Sequence, residues 1–283
     1  MAPPSYADLG KAARDLFNKG HHVGNLKVDI TNKTGFDKEY ESKISATHDL
    51  ASETLVGNFD WKWKLPEQKV TFTEKLTSKN TLTSVVEISD LLAKGSKVTL
   101  EGGYNLKNEQ RSANFKTEVV KPNFKFNSNV SLLGNPIIDA SAVYDLQSTL
   151  VGIQTIIDAG SRQVKATNVT LSKVTPDFAL TAFFNESSIV GASIFQRASP
   201  KLDLGVQVSY KVGEGNTTYG LAAKYDVASD LSLKGKINNA SDVVLSATHR
   251  LNKELAVTGS TQFSLLSSKN GQNKIGFGIE YSV

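Results

Sequence analysis

From about residue 25 to the end of the chain, apolar and polar residues alternate with a period of two. In "LVGNFDWKWK", Leu55, Gly57, Phe59, Trp61 and Trp63 share one side, while Val56, Asn58, Asp60, Lys62 and Lys64 share the other. "LDLGVQVSYK" sets Leu202, Leu204, Val206, Val208 and Tyr210 against Asp203, Gly205, Gln207, Ser209 and Lys211. Val70 and Phe72 oppose Thr71 and Thr73, and Leu231, Leu233 and Ile237 oppose Ser232, Lys234, Lys236 and Asn238. The closing "KIGFGIEY" places Ile275, Phe277, Ile279 and Tyr281 opposite Lys274, Gly276, Gly278 and Glu280. Side chains along a strand point to opposite faces in turn, so each run reads as a strand with one greasy and one wet face.

Eighteen turn signals, from "TNKTGFDK" to "SSKNGQNK", break the row and predict nineteen strands in one domain, residues 25–283, behind a separate segment 1–24. Alternation alone does not say which face is inside. A soluble sandwich turns its apolar faces inward, whereas a membrane barrel turns them to lipid and lines a wet lumen with the polar ones. Three features favour the barrel. The strands are evenly spaced at ~10 residues, as a tilted span requires. The candidate inner faces carry charges (Asp60, Lys62, Lys234, Lys236, Glu280) and glycines. The loops are short, and an open sheet of this size would leave exposed edges. An odd strand count predicts that Asn25–Lys33 closes in parallel on Lys274–Tyr281.

Composition removes other classes. There is no cysteine, hence no disulfide scaffold, thiolate metal site or cysteine nucleophile. The net charge of +4 is dispersed, with no Lys/Arg run longer than two and no basic stripe with interleaved aromatics, which argues against nucleic-acid specificity. Apolar runs are too short for a transmembrane helix, which needs ~18 residues. The first residues lack the apolar core of a secretory signal, and Asp8 and Asp15 argue against a cleaved transit peptide. His21, His22, His48 and His249 lack metal-ligand spacing. Neither a G-x-S-x-G elbow nor a P-loop occurs. No catalytic constellation emerges, and the expectation is a protein that is not an enzyme and needs no metal or cofactor.

One stretch has helical spacing. Between Tyr6 and Phe17, the residues Tyr6, Leu9, Ala13, Leu16 and Phe17 fall in one arc, and Asp8, Lys11, Arg14 and Asp15 fall opposite. Three turns are marginal without a surface to pack on. The helix therefore lies either on the outside of a soluble domain or against the wall of a lumen, with Lys11 and Arg14 toward water. Gly20 and Gly24 bracket "GHHVG", which reads as a flexible hinge with His21 and His22 inside it.

The stretch "PPSYADLGKAARDLFNKG", together with "VTFTEKL" at 70–76, "KINNAS" at 236–241 and "KIGFGIEY", resembles the mitochondrial voltage-dependent anion channels, the eukaryotic porins. The resemblance runs the length of the chain. It implies a nineteen-stranded transmembrane β-barrel with its helix in the lumen, the count known for this family. It further implies a voltage-gated, weakly anion-selective pore of the mitochondrial outer membrane, passing ATP, ADP, phosphate and other small ions. Lys11 and Lys19 match positions that contact nucleotide phosphates, and Arg14 joins them in the path. Asp242, Val243 and Val244, with Ser260, Thr261, Gln262, Phe263 and Ser264, match a weak dinucleotide (NADH) contact. Lys274, Gly276, Ile279 and Tyr281 fit a mitochondrial barrel-sorting signal. The chain departs from the family at Ala228 and Leu231, where an acid and a small residue are usual, and at Asp242, where an apolar residue is common.

Glu74 breaks the alternation, following Val70 and Phe72 on the greasy face. A carboxylate deep in a bilayer is costly and suggests function; one at the interface costs little and suggests nothing. The resemblance gives the matching glutamate a part in dynamics, dimer contacts and lipid or ion interactions. It also implies the lipid bilayer, a homo-oligomer and cytosolic kinases such as hexokinase as partners. Two rivals remain open from residues alone: a protein-import barrel of the same fold, and a soluble β-sandwich or lipocalin-like binder.

Overall fold

A computed structural model describes residues 2–35, 39–91, 93–186, 188–266 and 273–283. Most of the turn signal "SSKNGQNK" lies outside them. Nineteen strands follow the N-terminal segment. They are β1 (Asn25–Thr34), β2 (Tyr40–Asp49), β3 (Thr54–Leu65), β4 (Val70–Thr77), β5 (Thr81–Ser89) and β6 (Ser96–Asn105). Then come β7 (Arg111–Lys121), β8 (Phe124–Ser131), β9 (Ile137–Leu146), β10 (Thr149–Asp158), β11 (Gln163–Val174), β12 (Phe178–Asn185) and β13 (Ile189–Ser199). The last are β14 (Leu202–Lys211), β15 (Asn216–Asp226), β16 (Leu231–Asn238), β17 (Asp242–Arg250), β18 (Leu255–Ser264) and β19 (Lys274–Ser282).

All nineteen belong to one sheet, in which neighbours in the chain are neighbours in space and β1 pairs with both β2 and β19. The sheet is therefore a closed barrel without a free edge, which removes the pairing hazard of an open sheet. Consecutive strands reverse direction, as in β14–β15 and β18–β19. An odd number of such strands leaves β1 and β19 running the same way, as the sequence count requires.

The alternation settles which face is which. On β14, Leu204, Val206, Val208 and Tyr210 are exposed, while Gly205 on the other face is buried. On β19, Ile275 (59% exposed) and Phe277 (51%) stand bare beside buried Gly276 and Gly278. Rows of bare Leu, Val, Ile and Phe on most of the strands face no other part of the described chain and fit lipid. The polar and glycine face is inside. One aromatic cluster lies near the ends of β2, β3 and β4 on the outer face. Tyr40 stacks on Trp63 with centroids 6.0 Å apart, and Trp63 lies 6.3 Å from Phe72. Such aromatic rings mark a membrane–water boundary.

Contacts divide the chain into two compact units. The first comprises Met1–Leu9, Thr31–Ile44 and Val56–Leu171; the second comprises Gly10–Ile30, Ser45–Leu55 and Ser172–Val283. These units do not follow the division at residue 24, since both contain N-terminal residues.

The N-terminal segment differs from the single helix that its spacing predicts. Tyr6–Asp8 form a 3-10 turn, Leu9 is extended, Gly10 is left-handed at φ 69°, and a helix, α1, covers only Lys11–Asn18. Glycine takes that φ without the Cβ penalty, so the chain breaks there. The arc predicted from spacing is nevertheless the buried one. In the first unit Leu9 joins Val143 (1% exposed) and Leu150, with Tyr6 packed beside them. In the second unit Leu16 and Phe17 pack with Ala222 and Phe195.

Candidate functional site

The first unit presents a polar wall. A cavity of about 520 Å³ is lined there by Glu41, Lys43, Asp60, Lys62, Lys75, Glu87 and their neighbours on β2–β9. Register explains why the charges meet: an inward residue on one strand faces an inward residue on the next, as Asp60 faces Lys75 and Thr99 faces Lys116. Most carboxylates are answered. Lys116 Nζ lies 2.7 Å from Glu101, Lys97 lies 3.5 Å from Glu87, Lys125 lies 3.3 Å from Glu118 and Lys33 lies 3.8 Å from Glu41. Among the described residues, no salt bridge or hydrogen bond holds Lys43, Lys62 or Lys75. With Lys33 and Lys125 counted, lysines exceed carboxylates around this cavity by one. Of the three, only Lys62 was placed on an inner face from sequence. The same parity would have found Lys75, which follows Thr71 and Thr73 on the polar side of its strand.

In the second unit α1 lies on the inner face of β13–β15. Its buried side chains are Ala13, Leu16 and Phe17, and Lys11, Arg14 and Lys19 are exposed. The predicted cationic face therefore looks away from the wall. Lys19 reaches back to Asp15 at 2.7 Å. Small residues let the helix approach: a Cβ at Gly205 would stand 2.7 Å from Leu16 Cδ2 and 3.3 Å from Phe17 Cε2.

Residues 20–24 were expected to be a flexible hinge, and the structure shows them tied down. Gly20 and Gly24 do adopt turn values of φ, 75° and 74°. But His21 Nδ1 lies 2.7 Å from Ser246 Oγ, and Ser246 Oγ donates to Ser260 Oγ at 3.0 Å. The His22 N–H donates to Ser260 Oγ at 3.1 Å, and the Gly24 N–H donates to the Ile275 carbonyl at 2.9 Å. Gly276 and Gly278 leave room for this strap, since a Cβ at Gly278 would fall 2.4 Å from the His22 ring. Burial, together with nearby Lys236 and Lys234, lowers the His21 pKa to about 4, and burial also lowers that of His22. Gly276, which the resemblance assigns to a sorting motif, makes room for the strap, since a Cβ there would meet the His22 carbonyl.

The residues matched to a dinucleotide contact face each other across β17 and β18, Asp242 opposite Ser264 and Val244 opposite Gln262. They do not share a face. Asp242, Val244, Ser260, Gln262 and Ser264 point inward; Val243, Thr261 and Phe263 belong to the outer face with Leu245, so period two separates them. Asp242, Val244 and Gln262 line a cavity of about 330 Å³ with His21 and Lys236. Ser260 is buried and engaged by the strap.

Glu74 stands exposed on the outer face of β4 between Phe72 and Leu76, opposite Trp61 on β3 and Ser84 on β5. Ser84 Oγ donates to its carboxylate at 2.9 Å. It is two residues inward along β4 from the Trp63–Phe72 aromatic pair. At about 3.3 Å per residue and a tilt near 45°, that is roughly 5 Å deeper than the aromatic boundary.

A closed sheet with a bare apolar exterior and a charged, pairwise-compensated interior is the construction of a transmembrane β-barrel pore. Among known proteins, a family model described as eukaryotic porin matches residues 2–276. The chain belongs to the eukaryotic porin family. It is 37% identical over 281 residues to a probable voltage-dependent anion-selective channel of Caenorhabditis elegans, with 99% of each chain covered. It is 38% identical over 284 residues to the voltage-dependent anion-selective channel of Drosophila melanogaster, again with 99% of each covered. The non-selective voltage-gated ion channel VDAC1 of Homo sapiens is 31% identical over 285 residues, 99% of both chains. Among solved structures, a Rh. blastica porin variant aligns with a TM-score of 0.50 at 7% identity, covering 89% of this chain and 96% of that one. That likeness concerns fold alone.

Proposed function

We propose that this barrel is a voltage-gated, weakly anion-selective diffusion pore of the mitochondrial outer membrane, passing ATP, ADP, phosphate and other small ions. The observation that carries the reading is the inner wall: its carboxylates are mostly matched by lysines, and Lys43, Lys62 and Lys75 are left over. A small positive excess in a wet lumen raises anion occupancy without binding tightly. The relatives' names divide between anion-selective and non-selective, as a slight excess would lead one to expect. Those names favour a diffusion pore over a protein-import barrel of the same fold. The exposed apolar faces disfavour a soluble binder.

In this reading Lys11, Arg14 and Lys19 offer point charges to passing nucleotide phosphates. Asp242, Val244 and Gln262 supply the inward part of a weak dinucleotide contact, which Val243, Thr261 and Phe263 cannot join from the outer face. No cofactor is required, and the chain does no covalent chemistry. Reversal potentials across a planar bilayer under a salt gradient test the reading. Lys43, Lys62 and Lys75 replaced together by Gln should abolish the anion preference while large steps persist. An unchanged reversal potential, or no conductance from the natural sequence, would end it.

A further inference from the structure

The helix α1 ends in carbonyls that its own ladder cannot satisfy. The last four C=O groups of any helix lack an intrahelical partner, and the C-terminal end carries partial negative charge. Here the Lys19 N–H reaches the Asp15 carbonyl at 2.9 Å and closes one. Two more carbonyls of this end are met from outside the segment. Lys236 Nζ donates to the Phe17 carbonyl at 2.8 Å, and Lys234 Nζ donates to the Lys19 carbonyl at 3.0 Å.

Both lysines stand alternately on the inner face of β16, and their surroundings show what the contacts are for. Register places Lys236 opposite Ala222 on β15 and Val244 on β17, the latter 5% exposed. Among the described residues no carboxylate pairs with it, although Asp242 shares its cavity. Among the described residues the Phe17 carbonyl is its one hydrogen-bond partner. Lys234 lies opposite Lys224, a like-charge pairing that would destabilise the sheet. Lys224 is relieved by Asp226 at 2.9 Å. Lys234 turns instead to the helix end. Charge-assisted bonds of this kind are about twice as strong as neutral ones.

We infer that Lys236 and Lys234 are positioning residues: they cap the C-terminus of α1 from the barrel wall and fix the angle at which the helix lies in the lumen. This goes beyond attraction of anions, because it assigns the two ammonium groups to backbone carbonyls rather than to permeants. It rests on the pore reading only for its consequence, a fixed bore, and not for the contact itself.

The chain has no cysteine, so a nitroxide on Asn18→Cys, at the exposed end of α1, reports this site alone. In lipid vesicles the label's mobile fraction is compared among the natural sequence, Lys236→Met, Lys234→Met/Lys236→Met and Lys236→Arg. Met keeps the aliphatic stem and loses the donor; Arg keeps donor and charge. A hydrogen bond to a charged group is worth about 1.5–3 kcal/mol, so the ratio of mobile to docked label should rise roughly tenfold to a hundredfold in the Met variants. Arg should return it to within a few-fold of the natural value. The inference is overturned if the double Met variant leaves mobility unchanged, or if Arg behaves like Met. The spectrum needs no current, so a barrel that fails to conduct but keeps these mobilities would sink the pore reading and leave the cap standing.

Discussion

Replacing Gly205 by Ala tests whether the helix is held by close approach to the wall rather than by propensity. The new Cβ would lie 2.7 Å from Leu16 Cδ2, where carbon atoms settle at about 3.5–4.0 Å. Leu16 must retreat by roughly 1 Å. Phe17 Cε2 at 3.3 Å and Leu16 Cγ at 3.7 Å from the same point narrow the room for a simple rotamer change. Overpacking of this kind costs about 1–3 kcal/mol, which corresponds to a factor of about 5–150 in the ratio of docked to undocked helix. Amide hydrogen exchange in lipid nanodiscs reads that ratio at Arg14 and Lys19, whose N–H groups bond to Gly10 and Asp15. Leu16→Ala alone also weakens docking, by loss of a buried side chain. The two changes together should cost less than their sum, because Leu16→Ala removes the atom that Gly205→Ala strikes. Neighbouring pairs of this kind couple by about 0.5–3 kcal/mol. Unchanged exchange in Gly205→Ala, or strictly additive effects in the pair, would refute the argument that this glycine is the helix's seat.

Glu74→Gln should stabilise the barrel in vesicles by about 1–2 kcal/mol, since a charge beneath the interface costs less than the ~2–4 kcal/mol of a midplane Arg or Lys. Urea unfolding of both forms measures it, and a less stable Gln form would mean that the carboxylate serves a contact the bilayer cost does not outweigh. The strap at residues 19–24 should weaken in acid. The His21 pKa is lowered in the folded protein to about 4 from an ordinary 6.5, so the undocked form binds more protons between those values. Docking of the strap is then at full strength above pH 6.5, declines as pH falls toward 4, and is level below. Exchange at the Gly24 amide across that range reads the slope, and His21→Asn should flatten it; a slope that survives the substitution would assign it to another group.

How much of this could be read in advance depends on the physics of each part. The strands, their number and the greasy and wet faces follow from a period of two, which Leu204 and Gly205 display without any tertiary information. The buried arc of the N-terminal segment was equally plain, because Leu9, Leu16 and Phe17 have nowhere else to go. Its break was not, since a single glycine in a helical pattern costs only ~1 kcal/mol and does not by itself announce a left-handed turn at Gly10. The dinucleotide stretch came by likeness of linear sequence, which carries no parity, and parity is what divides Val243 from Val244. Lys236 looked like one more charge on a wet face; only register across β15–β17 shows that its neighbours are Ala222 and Val244 and not carboxylates.

The strap misled most, and for an instructive reason. Glycines around "GHHVG" read as freedom, and in an isolated peptide they would confer it. In the folded chain the decisive glycines are on the other partner. Gly276 and Gly278 of β19 give up their side chains so that His22 can lie directly on the strand, as Gly205 does for Leu16. In the first unit Gly152 does the same for Leu9, whose Cδ1 would stand 2.4 Å from a Cβ there. Gly152, Gly205, Gly276 and Gly278 thus record where the N-terminal segment touches the wall, whereas Gly191 makes room for the Phe183 ring of the neighbouring strand. An alternating strand that exchanges its expected polar residue for glycine gains no charge for the lumen and loses β propensity, so the exchange makes sense only where another backbone or side chain must come close.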